Sequence, residues 1–464
     1  MEGREKKWIM KPTVNTLNLL IAISVLTGSS FGDPGAGNRD GRPNIILIMA
    51  DDLGQEVLGC YGAAEYKTPV LDGLAAGGLR FTQGHAQPVC TPTRVELMTG
   101  LYNNRNYQGF GYLDPDQVTF AQLLRRAGYA TCISGKWQLN GWQSKRPGWD
   151  DLNRPAHMGF DAFCLWQVSK YKQAGERYAD PLVVKNGEEL PILKGQYGPD
   201  VFCDFILDFM EDQREHPFLV YYPMVLVHNP FTPTPDSPEW ADPDMRYPMK
   251  RHAGDSSFFP DMVAYMDQIV GRIVRKVDEL GLRRETVIIF TGDNGTTTNI
   301  YTKMKDGSII QGGKGSMTDR GTHVPLIVSW PGTTPAGKTL DDLVDFTDVL
   351  PTLCDLAGAG IPDSLAPDGR SFLPQLKGEK GRPRKAIFFH YWGNLGRTLE
   401  GAREMARNQR YVLFDNGDFF DLEKDMEQAS PLHPVNLTRK ERKIHKRLLK
   451  ELESSGSLLK KGAV

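Results

Sequence analysis

The chain has 464 residues, with 55 Lys and Arg against 57 Asp and Glu and a formal charge of −2. That balance excludes the basic excess with which nucleic-acid-binding proteins neutralise phosphates. The length suffices for one large domain with a smaller companion. Six cysteines, Cys60, Cys90, Cys132, Cys164, Cys203 and Cys354, lack the paired spacing that holds a metal.

At the start, Arg4, Lys6, Lys7 and Lys11 precede an apolar run at 17–26, and Ser30-Phe31-Gly32 suits cleavage. This pattern predicts a signal peptide over residues 1–32, because the apolar core is too short for a membrane span. The mature chain is therefore expected to be secreted or periplasmic, with no membrane span and no nucleic-acid partner. That compartment permits disulfides, but the spacing of the cysteines gives no connectivity.

Residues 44–50 form an unbroken apolar run, as expected of a strand buried on both faces of a parallel sheet. It ends in Asp51-Asp52. A second buried strand is predicted at 218–222, leading on to His228-Asn229-Pro230. The clearest helix follows: Met262, Met266, Ile269, Val270, Ile273, Val274, Val277 and Leu280 fall on one stripe, with Asp261 as N-cap and Gly281 as the stop. A third strand at 286–290 runs into Gly292-Asp293-Asn294-Gly295, and a fourth at 325–330 follows Lys314 and His323. Strand, helix and strand with polar residues at the strand ends predict an α/β fold, a large mostly parallel mixed sheet flanked by helices.

Beyond residue 375 the texture changes. Strands are expected at 386–392, 410–414 and 419–420, with Asp415-Asn416-Gly417-Asp418 as a hairpin turn. A charged amphipathic helix at 439–453 closes the chain. The reading is a catalytic domain over 43–375 and a C-terminal subdomain over 376–464, the latter a small antiparallel sheet plus one helix.

Asp51, Asp52, Asp293 and Asn294 offer only oxygen ligands, all at strand ends. That donor set favours a hard cation, calcium or magnesium, over zinc. Three carboxylates gathered without a cation would repel and raise one another's pKa. Between them in the sequence stands Cys90-Thr91-Pro92-Thr93-Arg94, a Cys-x-Pro-x-Arg pattern. On its own this is no more than a buried cysteine before a turn-forming proline.

Together, residues 44 to 52, Cys90 to Arg94, Gly135-Lys136-Trp137, His228, Thr291 to Gly295 and Lys314 occur in the order and rough spacing of a known family. The chain resembles the formylglycine-dependent (type I) sulfatases of the alkaline-phosphatase-like superfamily over nearly its whole mature length. The resemblance implies a maturation enzyme that oxidises Cys90 to an aldehyde, whose hydrate is the nucleophile toward a sulfate ester. It implies that Asp51, Asp52, Asp293 and Asn294, with the oxygen of modified Cys90, bind calcium, with magnesium as the alternative. Arg94, Lys136 and Lys314 would surround the sulfate, and His228 or Lys314 would protonate the leaving alkoxide.

One position departs from the family. It usually reads Gly-Lys-Trp-His-Leu-Gly, whereas this chain has Gly135-Lys136-Trp137-Gln138-Leu139-Asn140. The missing His is the one assigned to deprotonate the hydrate for sulfate release. Glutamine cannot take that proton, although its amide can hold the same hydroxyl, so slower release or a different base is expected. Export and family analogy point to a sulfated carbohydrate as substrate, with His157, Trp166 and Gln167 as candidate sugar-facing residues. The alternatives are a phosphonate monoester or phosphodiester hydrolase of the same superfamily, and a non-catalytic sulfated-glycan binder with Cys90 unmodified.

Overall fold

The computed structural model describes residues 41–169, 177–246 and 255–456. The expected signal peptide lies outside them. Ten strands form one sheet: β1 (Asn44–Ala50), β2 (Leu79–His85), β3 (Ala130–Lys136), β4 (Ala162–Trp166), β5 (Val184–Lys185), β6 (Glu188–Glu189), β7 (Phe218–Pro223), β8 (Thr286–Gly292), β11 (His323–Ser329) and β12 (Lys338–Asp345). A short hairpin of β9 (Tyr301–Lys303) and β10 (Ile309–Gln311) interrupts the chain order. Across the sheet the order is β12-β2-β11-β8-β1-β7-β3-β4-β5-β6. The five central strands β8, β1, β7, β3 and β4 are mutually parallel, and β11 runs antiparallel between β8 and β2.

Why β1 sits at the centre follows from its side chains. All seven residues are buried, and a strand alternates its side chains between faces. Ile45, Leu47 and Met49 therefore join one core, while Ile46, Ile48 and Ala50 join the other. The first core is closed by α2 (Cys90–Thr99), α3 (Phe120–Arg126) and α6 (Val349–Ala357); the second by α1 (Pro69–Gly77), α4 (Gly198–Asp212) and α5 (Phe259–Glu279). A strand covered on both faces cannot alternate polar and apolar residues, which is why the run at 44–50 reads as continuous.

Helix α5 carries the expected stripe: Met262, Met266, Ile269, Val270, Ile273 and Val277 are all buried. Its start differs from expectation. The helix begins at Phe259 with Pro260 in its first turn, and Asp261 is not the cap; its carboxylate accepts from the Ser237 hydroxyl at 2.7 Å instead. Pro260 has no N–H to satisfy at that position, so no side-chain cap is needed for it. Gly281 does follow the helix, with φ 72°. No described helix is long and apolar enough to cross a membrane.

The second sheet has four antiparallel strands, β13 (Ile387–Tyr391), β14 (Arg403–Arg407), β15 (Tyr411–Phe414) and β16 (Phe419–Asp421), in that order. Strand β14 has no counterpart in the sequence reading. Its residues, Arg-Glu-Met-Ala-Arg, carry charges at both ends, yet both Glu404 and Arg407 are buried, Glu404 hydrogen bonded to His390 and Arg407 paired with Asp319. Helix α7 (Arg439–Ser455) opens on a capping box between Thr438 and Glu441 and buries Leu448 and Leu452 against Phe388, Ala406 and Leu413.

A buried ion pair joins the start of this second sheet to the first. The guanidinium of Arg384 grips both oxygens of Asp348, with Nε 2.9 Å from each, and donates from Nη2 to the Asp368 carbonyl at 2.8 Å. Both side chains are at most 4% exposed, so truncating one leaves the other charged and desolvated. Arg384→Leu is expected to lower stability by about 3–5 kcal/mol, read as a drop in the urea midpoint.

Candidate active site

The strands β1 and β8 are neighbours in parallel register, with Ala50 opposite Gly292. Whatever follows them therefore emerges side by side. Asp51 and Asp52 follow β1, and Asp293 and Asn294 follow β8. Asp52 adopts a left-handed conformation, φ 64°, and its N–H donates to Asp293 Oδ1 at 3.0 Å. The Asn294 amide donates to Asp52 Oδ1 at 2.9 Å. Glycine is required at 292, where a Cβ would stand 2.1 Å from the Leu53 carbonyl oxygen.

Cys90 is the first residue of α2, after Val89 in an extended conformation. That location sets residue 90 at the positive end of the helix dipole. Arg94 lies one turn on, on the same face. Its Nε and Nη2 donate to Asp293 Oδ2 at 3.2 and 2.8 Å, and its Nη1 donates to the Lys136 carbonyl at 3.1 Å. All ten residues of α2 are buried, charged ones included, which fixes the guanidinium in place.

The remaining cations arrive from other segments. Lys136, the last residue of β3, donates to both oxygens of Asp51 at 3.0 and 2.8 Å. Lys314 donates to Asp52 Oδ2 at 2.6 Å, and His228 Nε2 stands 3.7 Å from the same oxygen. Lys314 and His228 are about one-fifth exposed, whereas the carboxylates are fully buried. The Cys90 thiol lies 3.5 Å from Gln138 Oε1. One ligand atom each of Asp51, Cys90 and Asp293 lie within 4.8 Å of one another, as do those of Asp51, Asp52 and His228.

The charges are unevenly balanced. Burial pushes the Asp51 and Asp52 carboxyls up, but Lys136 and His228 on the one, and His228 and Lys314 on the other, outweigh it and hold both below the usual range. Asp293 goes the other way, raised to about 7 by burial and by Asp51 in spite of Arg94. Burial pushes His228 down to about 3 despite Asp52, and Asp52 and Asp51 hold Lys314 protonated against its burial. A cluster in which one carboxylate stays short of positive charge suits a further cation. The buried Asn294 Oδ1 makes no hydrogen bond, and Asp51, Asp52, Asp293 and Asn294 themselves offer only oxygen donors. These residues fit a hard divalent ion.

All the residues singled out in the sequence meet here: Asp51, Asp52, Cys90, Arg94, Lys136, Gln138, His228, Asp293, Asn294 and Lys314. The three sugar-facing candidates fare differently. Exposed His157 pairs with Asp151 at 3.0 Å. Trp166 is 1% exposed, with the Arg177 guanidinium 4.2 Å over its ring, and Gln167 is 4% exposed. Trp166 Nε1 and Gln167 Oε1 are buried without a hydrogen-bond partner in the protein. Sequence reasoning missed Tyr178, whose hydroxyl donates to the Val225 and His228 carbonyls and holds the His228 loop. It also missed Thr93, which anchors the turn before α2 through the Gln87 and Val89 carbonyls. Tyr178 has no local signal, because it acts on backbone brought near by the fold, whereas the Thr93 contacts reach only four and six residues back.

A sulfatase family model matches residues 43–359, and a model described as N-sulphoglucosamine sulphohydrolase, C-terminal, matches residues 313–457. Arylsulfatase A of Homo sapiens is 32% identical over 75% of this chain and 70% of its own length. The N-acetylgalactosamine-6-O-sulfatase of Bacteroides thetaiotaomicron is 30% identical over 92% of this chain and 93% of its own. Among solved structures, BT4656 in complex with its substrate D-glucosamine-2-N,6-O-disulfate superposes with a TM-score of 0.70 at 21% identity, over 89% of this chain and 98% of that one. The phosphonate monoester hydrolase of Agrobacterium radiobacter superposes at 0.64 and 21% identity, over 89% and 95%; likenesses at this identity establish a shared fold. With the family model spanning most of the described chain and curated sulfatases matching along it at 30% identity or more, the chain belongs to the sulfatase family, as an enzyme that hydrolyses sulfate esters.

Proposed function

We propose that this sulfatase acts on the sulfate monoester of a carbohydrate, through Cys90 converted to formylglycine and with calcium held by Asp51, Asp52, Asp293 and Asn294. The observation that carries the reading is the position of Cys90, opening a buried helix beside Asp51 and Asp293 within metal-ligand distance. A thiol there makes a poor nucleophile toward a sulfate ester turned over repeatedly, whereas an aldehyde hydrate supplies a hydroxyl. Calcium at the carboxylates supplies Lewis-acid polarisation of the sulfate oxygens. The carbohydrate reading is supported by the N-acetylgalactosamine-6-O-sulfatase relative, which aligns along nearly the whole chain. The leader pattern at 1–32 supports export, and the Cys-x-Pro-x-Arg motif supports a maturation enzyme as partner. We read 43–375 as the catalytic unit and 376–464 as its companion.

The chain's own residues do the rest. Arg94, Lys136 and Lys314 are fixed cations on three sides of the carboxylate cluster, placed to offset charge spreading over sulfate oxygens in the transition state. Lys314 keeps its proton and reaches the partly open side of the site, so it can hydrogen bond the leaving oxygen. His228 Nδ1 donates to the Asn229 carbonyl, which leaves Nε2 directed at Asp52. Gln138 holds a polar group against the side chain of residue 90 but carries no titratable proton.

Sulfate release from a panel of sulfated mono- and oligosaccharides, with phenyl sulfate and phenylphosphonate alongside, tests the reading. The sugar sulfates are expected to react and the phosphonate is not. The Cys90 peptide of the active enzyme is expected to have lost one sulfur and two hydrogens and gained one oxygen; full activity with an intact thiol would overturn the assignment. Chelation should abolish turnover, with calcium or magnesium restoring it and zinc failing to. Gln138→His is expected to raise kcat with less change in KM, and an unchanged kcat would mean that another group already serves sulfate release.

A further inference from the structure

The ion pair between Lys314 and Asp52 joins two segments that no strand pairing brings together. Lys314 lies in the loop between β10 and β11, while Asp52 follows β1, and Nζ stands 2.6 Å from Oδ2. A lysine carries its charge on a flexible four-carbon stem, so the place of the ammonium is only as well defined as the backbone behind it. That backbone is tied to Thr296: the Lys314 N–H donates to the Thr296 carbonyl at 3.0 Å. The fit is close, since a Cβ on Gly312 would stand 2.4 Å from the same carbonyl oxygen.

Thr296 is itself locked from the other side. It lies two residues past Asn294 and is fully buried. Its hydroxyl donates to Glu56 Oε1 at 2.6 Å and accepts from the Gly54 N–H at 3.0 Å. Gly54 is two residues past Asp52, and Glu56 sits in the single 3-10 turn Gln55–Val57 with 6% exposure. A Cβ on Gly54 would collide with the Glu56 carboxylate at 2.2 Å, so the glycine lets that carboxylate fold back onto Thr296. One hydroxyl thereby satisfies two buried groups, a carboxylate oxygen and a backbone N–H, each of which is costly to leave unpaired. Through its side chain Thr296 fixes the segment after β8 to the segment after β1, and through its carbonyl it fixes the Lys314 loop to both.

We propose that Thr296 is a positioning residue that sets the Lys314 ammonium against Asp52 and the leaving oxygen. The inference rests on the reading above that Lys314 hydrogen bonds that oxygen. Because Thr296 acts through Lys314, its effect should follow the leaving group. An alcohol that departs as a stable anion has little need of the ammonium, whereas one that departs as a strong base depends on it.

Thr296→Val keeps the shape of the side chain and removes the hydroxyl. The ratio of kcat/KM for nitrophenyl sulfate to that for phenyl sulfate reads the effect, because it does not depend on how much of the protein is folded. In the valine variant the ratio should rise about 3- to 10-fold, the worth of one weakened hydrogen bond, and it should return to the wild-type value in Thr296→Ser, which restores the hydroxyl. Equal losses on both esters, an unchanged ratio, or a serine variant that behaves like the valine one would overturn the proposal. Lys314→Ala separates that failure from failure of the reading beneath it, since it should raise the same ratio at least as far. An unchanged ratio in Lys314→Ala would overturn the assignment of Lys314 to the leaving oxygen, and the role of Thr296 with it. A raised ratio in Lys314→Ala beside an unchanged one in Thr296→Val would overturn the Thr296 proposal alone.

Discussion

Three carboxylates held out of water within a few ångströms of each other are the constraint on which the rest of this structure depends. Each of Asp51, Asp52 and Asp293 is fully buried and each is met by a cation, Lys136, Lys314 and Arg94 respectively. Removing charges from water is costly unless partners and hydrogen bonds return what hydration supplied. The fold meets that demand with segments far apart in sequence: the ends of three parallel strands, a helix and a loop from the following crossover. Because the pairing is three against three, the cluster is close to neutral overall, yet Asp293 is left less compensated than its neighbours. A divalent ion would correct that imbalance, and substrate sulfate would then restore the count of negative groups facing the lysines and arginine.

The parallel sheet makes this arrangement natural. Parallel strands all end at one edge, so the residues following β1, β3 and β8 are neighbours without any long-range instruction beyond strand pairing. The same edge receives α2 from β2, with Cys90 at its first position. Antiparallel β11 begins at this edge too, placing His323 near the loop that carries Lys314, where it bonds Asp319 at 3.0 Å. Asp319 in turn pairs with Arg407 of the second sheet. The loop bearing Lys314 is thus tied to both sheets, which limits how far its ammonium can wander from Asp52.

Much of the fold was legible in the sequence. The runs at 44–50, 218–222 and 286–290 are uniformly apolar because both faces of the sheet are covered, and that pattern is local. The stripe of α5 is local in the same way. What failed to read was set by contacts at a distance. Asp261 carries the chemistry of a cap but is drawn to Ser237, while the helix starts two residues earlier at Phe259. Strand β14 is hidden by Glu404 and Arg407, whose charges suggest a surface loop until His390 and Asp319 supply partners.

The sequence by itself picked out the residues that meet here, because the Cys-x-Pro-x-Arg pattern and a set of oxygen ligands at strand ends leave a fixed order of letters. It could not determine which cation meets which carboxylate, or that Trp166 and Gln167 are buried, each with an unbonded polar atom. Those outcomes depend on the register of pairing and on how the second sheet packs across the first, and no stretch of chain short enough to show a pattern contains both partners.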